Sequence, residues 1–300
     1  MRLRWDIIGK VCGKPLYKLL GGKVHDKFRC EFCECNRPPE RLALDVKKAV
    51  ELGWKAFKIK VGLDPATDVA CVKAAREAAG DRIVLGFDVN NSYSVPSAIR
   101  TIKKMERYDP DYIEQPVEEW NVDGLREVKR HTDVPLLCHS FYVTKDKKSV
   151  LEFVNKKAAD MLNINPDYMG SLQYCQEVCA IVEAGGIIAK AQSSAAELGP
   201  ANAGLVHLVT ATSAFTTSNQ NSSHLLERSG DVIAEPFTVK EGCLTVPEGP
   251  GLGVEIDMEK LGQWHKAWLD GKYKDETGRP RSDPYYAMGS LRGLPHWPGV

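Results

Sequence analysis

The sequence predicts an α/β fold of the (β/α)8, TIM-like barrel type with a small C-terminal strand and tail extension. From residue 27 onward, short apolar runs alternate with segments of helical period, which indicates βαβ units and a parallel sheet. Eight evenly spaced strand ends are typical of a barrel, and no G-x-G-x-x-G follows the first strand to favour the alternative, a doubly wound open sheet. A polar residue closes each predicted strand, at steps of 25 to 28 residues: Glu34, Lys60, Asp88, Glu114, His139, Asn165, Gln192 and Asn219.

The first half of the chain supplies four of these strands. "KFRCEFC" and "KAFKIKVG" flank a segment of helical period. The next predicted helix has Asp64 as its N-cap, Pro65 at its first position and Gly80 at its end. The strands "RIVLGFDVN" and "DYIEQP" follow, each before a helical segment, over 95–108 and over 121–131.

The second half continues the alternation and adds two flanks. Strands are predicted at "VPLLCHS", "ADMLNINP" and "GGIIAKAQ". We divide the chain into a leading segment over 1–26, with an amphipathic helix at 5–22, a barrel over 27–229, and C-terminal strands and a tail over 230–300. Two short strands are expected around Glu241, and the tail beyond them has no clear period.

The composition argues against several classes of partner. The 40 Lys and Arg residues balance 40 Asp and Glu residues, so neither a nucleic-acid nor a membrane-surface interface is predicted. The charged N-terminus contains no apolar signal region, and no apolar stretch reaches transmembrane length. Nine cysteines in a chain without a signal indicate reduced thiols and a cytoplasmic protein.

A cysteine cluster offers a separate hypothesis, a small zinc module. "RCEFCECN" places Cys30, Cys33 and Cys35 together, and C-x-x-C is a zinc-binding spacing. A closed site needs a fourth ligand, however, and no second C-x-x-C or H-x₃-H pair follows. Strand parity also puts Cys30 on the side opposite the other two. Ordinary packed thiols are the favoured interpretation.

Two lysines, Lys58 and Lys60, stand two positions apart in an apolar strand, so they share one face of it. Asp88, Glu114 and His139 close the next three strands, and in a barrel three such ligands can converge on one cation. Carboxylate oxygens suit Mg²⁺. A cation and two lysines would form an electrophilic cradle for a small carboxylate substrate, in which a lysine of lowered pKa removes the adjacent proton.

Three amides are candidate substrate-binding residues at the same mouth. Asn90 shares the face of Asp88 and would donate a hydrogen bond to the substrate, while Asn165 and Gln192 close later strands. Each polar strand end, taken alone, also fits a solvated side chain or a turn. Their common spacing is what favours a site.

Four motifs in this order carry a resemblance to a known family. "FKIKVG", "FDVNNSYS", "YIEQPV" and "PEGPGLGVEID" resemble the mandelate racemase and muconate cycloisomerase branch of the enolase superfamily, over about residues 5–260. The resemblance implies a barrel that binds Mg²⁺, abstracts the α-proton of a carboxylate and stabilises the resulting enediolate. It implies Lys60 as the base, Lys58 as its electrostatic partner, and Asp88 and Glu114 as metal ligands.

Several positions depart from the pattern of that family. His139 stands where the third ligand is usually Glu or Asp, and imidazole suits Mn²⁺ or Zn²⁺ better than Mg²⁺. Gln192 replaces the racemase-type His, and Tyr168 falls at the cycloisomerase-type Lys, so neither second acid/base is present in its usual form. The family's N-terminal capping domain is expected to be missing, apart from its last helix within 1–26.

We therefore expect a Mg²⁺- or Mn²⁺-dependent enzyme acting on a hydroxy acid or sugar acid. Dehydration is the simplest reaction, because loss of a β-hydroxyl needs only one proton abstraction. Cycloisomerisation and racemisation or epimerisation are the alternatives within the superfamily. A non-catalytic, truncated relative that binds carboxylates or only assembles is the alternative from another class. A homo-oligomer is also expected.

Overall fold

The structure is a computed structural model that describes residues 2–193, 197–221, 223, 226 and 230–272. The predicted C-terminal tail lies outside these residues from 273 onward. Within the described part of the chain, none of the helices has the length and apolar character needed to cross a membrane.

Eight parallel strands form the predicted barrel. Each strand pairs with the next in sequence, and the last pairs with the first. A parallel bridge between Gln192 and Gln220 joins the seventh strand to the eighth, so the ring closes. The strands are β1 Phe28–Glu34, β2 Ala56–Lys60, β3 Val84–Asp88, β4 Tyr112–Glu114, β5 Leu136–Cys138, β6 Met161–Ile164, β7 Ile188–Ala191 and β8 Asn219–Gln220.

The helices connect these strands and begin at recognisable caps. The Asp64 carboxylate accepts a hydrogen bond from the backbone N–H of Thr67 at 2.9 Å, and Pro65 takes the first helical position, as the sequence predicts. The described helices are α1 Arg2–Cys12, α2 Leu16–Leu19, α3 Pro39–Glu51, α4 Pro65–Ala79, α5 Val95–Met105, α6 Val122–Lys129, α7 Ser140–Val143, α8 Lys147–Lys156, α9 Pro166–Met169, α10 Leu172–Ala184, α11 Gly199–Thr210 and α12 Met258–Leu269.

The leading segment differs from its prediction. The single amphipathic helix expected over 5–22 is two helices, because Gly13 adopts a φ of 61° and ends α1. Pro15 then fixes an extended turn before the short α2. The predicted helix over 95–108 likewise ends earlier, and its last turn, Glu106–Tyr108, is a 3₁₀ helix.

The C-terminal extension forms a small hairpin beside the start of β1. Lys240 and Cys243 form an antiparallel bridge around Glu241 and Gly242, which both have positive φ values of 51° and 71°. The strand that follows, β9 (Cys243–Leu244), pairs antiparallel with the start of β1. The two short strands predicted here are thus one bridge and one two-residue strand.

The apolar core consists of two clusters, one outside and one inside the ring of strands. They are separate because successive side chains of a strand point to opposite faces. Side chains on the outer face of the strands, such as Phe57 and Ile59, pack against the helices. Inside the ring, Tyr112, Leu137 and Met161 form a small separate apolar cluster. The polar residues of the inner face also lie in the barrel interior, next to this cluster.

Candidate active site

Lys58 and Lys60 lie on the same inner face of β2 and approach one carboxylate. The Lys60 ammonium donates a hydrogen bond to Oδ2 of Asp88 at 2.6 Å, and the Lys58 ammonium lies 3.5 Å from the same oxygen. Lys58 is buried, whereas the Lys60 side chain is 21% exposed. The two lysines therefore differ in solvent exposure, and Lys60 is the one that a substrate can reach.

Three acceptors surround the Lys58 ammonium. It lies 2.5 Å from Oε2 of Glu114 and donates to Oε1 of Gln220 at 2.9 Å, in addition to its contact with Asp88. Gln220 is oriented because its amide group donates to the Ser193 carbonyl. Burial acts to lower the pKa of Lys58, but the charges of Glu114 and Asp88 outweigh it, so the pKa is raised and the ammonium stays protonated.

Asp88 is held in its charged form by the lysines. Burial acts to raise its pKa, but Lys60 and Lys58 oppose burial and the pKa falls well below the usual range. The backbone N–H of Asn90 donates to Oδ1 of Asp88 at 3.0 Å. Asn90 and Asn91 both have positive φ values, 50° and 64°, a conformation that asparagine tolerates better than most residues. The Asn-Asn pair is thus a turn that also fixes the Asp88 carboxylate.

Asp88 and Glu114 have the chemistry of a cation site. Both carboxylates are buried, and both contact one positive charge, the Lys58 ammonium. Asn163 donates to Oε1 of Glu114 at 2.8 Å, which leaves Oε2 directed at that charge. Mg²⁺ is commonly bound by one or two carboxylates, with water and substrate oxygens completing its shell. These two residues therefore fit the Mg²⁺ that the resemblance implies.

His139 lies apart from the two carboxylates in this structure, and the three-ligand site remains a prediction. His139 follows β5 and caps the short α7, and its Nδ1 lies 3.1 Å from Oε1 of Glu119. Within the described residues, no three Asp, Glu, His or Cys side chains lie close enough together to hold a metal ion.

The remaining predicted residues lie at the same end of the barrel. The side-chain oxygen of Asn165 accepts from the backbone of Asp167, so this residue caps α9. Gln192 is 8% exposed, and its Oε1 has no hydrogen-bond partner in the described part of the chain. Such an orphaned acceptor suits the predicted role in substrate binding. Tyr168 is partly exposed, and its ring lies 5.4 Å from that of His139.

The sequence reasoning missed a second buried ion pair inside the barrel. Lys190 on β7 contacts Oε1 of Glu31 on β1 at 2.5 Å, and neither side chain is exposed. The hydroxyls of Tyr112 and Ser218 also donate to Glu31. Burial lowers the pKa of Lys190, against the attraction of Glu31. A signal existed in the sequence, since Lys190 precedes Gln192 by two positions in an apolar run, the spacing of Lys58 and Lys60.

Two of the predicted strand-end residues are shifted by one position from the inner face. Glu34 pairs with Ile59, and Asn219 pairs with Cys30, and both of these partners belong to the outer core. The inward residue of β8 is Gln220 instead. One position changes the face because side chains alternate along a strand.

The cysteines are all free thiols, as the packed-thiol interpretation predicts. Cys30 packs in the outer core, whereas Cys33 pairs with Lys58 on the inner face. Burial raises the pKa of Cys33 to about 12, which is unfavourable for a thiolate ligand. The zinc hypothesis has no further support from the described residues.

Comparison with known proteins identifies the family. Residues 41–260 match the family described as enolase C-terminal domain-like. The L-Ala-D/L-Glu epimerase of Clostridium acetobutylicum is 31% identical over 262 residues, which cover 84% of this chain and 69% of that enzyme. The D-galactonate dehydratase of Ralstonia pickettii is 29% identical over 84% of this chain and 69% of its own length.

Solved structures agree with the sequence relatives. The dipeptide epimerase from Enterococcus faecalis V583, in complex with Mg and the dipeptide L-Leu-L-Tyr, superimposes with a TM-score of 0.77 at 26% identity. The match covers 84% of this chain and 70% of that one. The chain therefore belongs to the enolase C-terminal domain-like family, in the mandelate racemase and muconate cycloisomerase branch of the enolase superfamily.

Proposed function

We propose that this protein abstracts the α-proton of a small carboxylate substrate, with Lys60 as the base. The observation that carries the proposal is the pair of lysines on one inner face, of which only Lys60 is open to the mouth. Lys58 remains an ammonium and supplies positive charge where the substrate's carboxylate gains electron density.

Asp88 and Glu114 would hold a Mg²⁺ ion. When bound, this cation would neutralise the substrate carboxylate and so make the adjacent C–H bond more acidic. Asn163 would keep Glu114 in its present orientation, and the turn at Asn90 would do so for Asp88. Because His139 lies with Glu119, the donor set of Asp88 and Glu114 would be all oxygen, which suits Mg²⁺.

Dehydration of a hydroxy acid or sugar acid is the reaction we propose after proton abstraction. Lys60 takes the α-proton, the electron pair of that C–H bond forms the C=C double bond, and the C–O bond breaks with its pair on oxygen, which takes a proton from solvent and leaves as water. The similarity to a D-galactonate dehydratase supports this reaction. Epimerisation is the second candidate, because the chain is also similar to an L-Ala-D/L-Glu epimerase.

Two further properties belong to the proposal. Nine free thiols suit a reducing compartment, so we place the protein in the cytoplasm. The apolar side chains of Ile7 and Val11 are exposed on α1, and they offer a surface for assembly into a homo-oligomer.

Proton exchange in D₂O tests the proposal. The purified protein with Mg²⁺ is incubated with D-galactonate and, separately, with L-Ala-L-Glu, and deuterium at the α-carbon is followed by NMR. We expect exchange with one of these acids in the wild type and its loss in Lys60→Met. Lys55→Met, which removes an exposed lysine just before β2, is the matched control and keeps exchange. Exchange at the wild-type rate in Lys60→Met would leave the lysines as a binding cradle only.

A further inference from the structure

Asp68 and Tyr93 are buried in segments that follow strands of the candidate site, and they bond to each other. Asp68 lies in the first turn of α4, and Tyr93 follows β3. The Tyr93 hydroxyl donates to Oδ2 of Asp68. Asp68 is 2% exposed and Tyr93 is 7% exposed, so the bond lies in a region of low dielectric, where it is stronger than in water. It joins the segment after β2 to the segment after β3.

Asp68 also holds the loop after β2 in place. Its carboxylate accepts hydrogen bonds from the backbone N–H groups of Gly62 and Leu63, the latter at 3.3 Å. Gly62 has a φ of 97°, and a β-carbon there would collide with the Val89 carbonyl. The loop after β2 therefore lies directly against the segment that follows β3.

Tyr93 is fixed at its backbone as well as at its hydroxyl. Its N–H donates to the Pro116 carbonyl at 3.1 Å, and the N–H of Asn91 donates to the Gln115 carbonyl at 2.8 Å. Both carbonyls belong to the loop after β4. Tyr93 therefore connects the loops that follow β2, β3 and β4, the three strands whose last residues are Lys60 and the two carboxylates of the candidate site.

The turn between Asp88 and Tyr93 has an uncommon backbone conformation. Asn90 and Asn91 have φ values of 50° and 64°, and such residues keep this conformation only where the surrounding contacts determine it. The N–H of Asn90 donates to Oδ1 of Asp88 at 3.0 Å, so the turn orients this carboxylate. Tyr93 follows the turn and is anchored at both its backbone and its hydroxyl, so it determines where the turn ends.

We propose that Asp68 and Tyr93 are positioning residues, which hold the turn at Asn90 and thereby keep the Asp88 carboxylate in the orientation that binds Mg²⁺. This inference rests on the proposed function, because it takes Asp88 as a ligand of that cation. Neither residue needs to touch the cation, the substrate or a transferred proton. Loss of a group that orients a metal ligand typically weakens metal binding by about 10–100-fold.

The experiment compares Tyr93→Phe, which removes one hydroxyl group, with the wild type. NMR follows amide hydrogen exchange at Asn90 and Leu63 in the metal-free protein, and calorimetry measures Mg²⁺ affinity. Urea unfolding reports the loss of stability. Tyr17→Phe is the matched control, because the Tyr17 hydroxyl also donates to a carboxylate, that of Glu248 at 2.8 Å, but belongs to α2 in the leading segment.

We expect the Asn90 and Leu63 amides to exchange about tenfold faster in Tyr93→Phe, and Mg²⁺ to bind about tenfold more weakly, since the residue acts through the turn. Asp68→Asn keeps a hydrogen bond with the Tyr93 hydroxyl, which can accept as well as donate, and should bind Mg²⁺ within about threefold of the wild type. Asp68→Leu should weaken binding at least as much as Tyr93→Phe, and combining the two should cause no further loss. Tyr17→Phe should lose stability at most, and keep wild-type exchange and affinity.

Other outcomes overturn the inference in distinct ways. Unchanged Mg²⁺ affinity, or unchanged exchange at Asn90, in Tyr93→Phe removes the positioning role while the proposed function stands. An equal loss of affinity in Tyr17→Phe would mean that general destabilisation weakens the site, and it also removes that role. A wild type that binds no Mg²⁺ contradicts the proposed cation site itself, and the role of Asp68 and Tyr93 falls with it.

Discussion

The Lys58 ammonium lies 2.5 Å from Oε2 of Glu114, and both side chains are almost completely buried. The same ammonium lies 3.5 Å from Asp88, so the protein itself provides the positive charge between its two carboxylates. A divalent cation at these carboxylates competes with that charge. Lys58 and Mg²⁺ are therefore expected to oppose each other, which yields a measurable consequence.

Lys58→Met should tighten Mg²⁺ binding while it destabilises the metal-free protein. Without the ammonium, two buried carboxylates repel each other, and a cation relieves the repulsion. We expect about a tenfold gain in affinity, which corresponds to about 1.4 kcal/mol, and a larger rise of the melting temperature on adding Mg²⁺ than in the wild type. Calorimetry and thermal unfolding measure both. Glu114→Gln should weaken binding, and equal affinities in all three proteins would exclude this cation site.

His207 should make the fold sensitive to mild acid. Its Nδ1 accepts a hydrogen bond from the backbone N–H of Tyr17, and Nε2 lies 3.1 Å from the Leu252 carbonyl. Burial lowers its pKa to about 4. The neutral form is the folded one, so its stabilisation is complete above pH 6.5 and is lost as pH falls towards 4.

Urea unfolding at pH 7 and pH 5 measures this effect. The free energy of unfolding should fall by about 2 kcal/mol more in the wild type than in His207→Gln. His265→Gln removes an exposed histidine of α12 and should keep the full wild-type pH dependence. A His207→Gln protein with that same dependence would mean that the acid sensitivity comes from other groups.

The barrel was predictable because its strand ends repeat in the sequence at an even spacing. The interior was predictable only where a polar residue both closes a strand and faces inward, as Lys60, Asp88 and Glu114 do. Glu34 satisfies the first condition but not the second, because β1 runs beyond its last inward residue. Spacing along the chain locates the strand ends, whereas the face on which a side chain lies depends on the strand register.

The contacts of the site were not predictable from spacing. Glu31 and Lys190 lie 159 residues apart and meet only because the ring closes. His139 stands at a ligand position by alignment of motifs, yet its ring lies with Glu119, a residue of the preceding loop. Side-chain rotamers and the conformations of the loops decide such contacts, and neither produces a periodic pattern in the sequence.

Lys190→Met should destabilise the protein strongly. It leaves Glu31 charged and buried without its cation, a change that typically costs about 3–5 kcal/mol. The double variant Glu31→Gln with Lys190→Met removes both charges and should recover much of that loss. Urea unfolding compares them. Lys156→Met, which breaks an exposed pair with Asp123, should change little. A small effect of Lys190→Met would indicate that water reaches Glu31.

Gly86→Ala should disturb the same interior through Tyr112. A β-carbon at Gly86 would lie 1.9 Å from Cζ of the Tyr112 ring, whose hydroxyl donates to Glu31. The ring is enclosed in the barrel and cannot withdraw without breaking that bond, so we expect a loss of about 1–3 kcal/mol from overpacking. Gly262→Ala is the control, because nothing lies near Gly262 in the exposed α12 and alanine favours a helix. In a Tyr112→Leu background the clash is gone, and Gly86→Ala should then be nearly neutral in urea unfolding. An undiminished loss in that background would place the strain in the backbone of β3 and not in the contact with Tyr112.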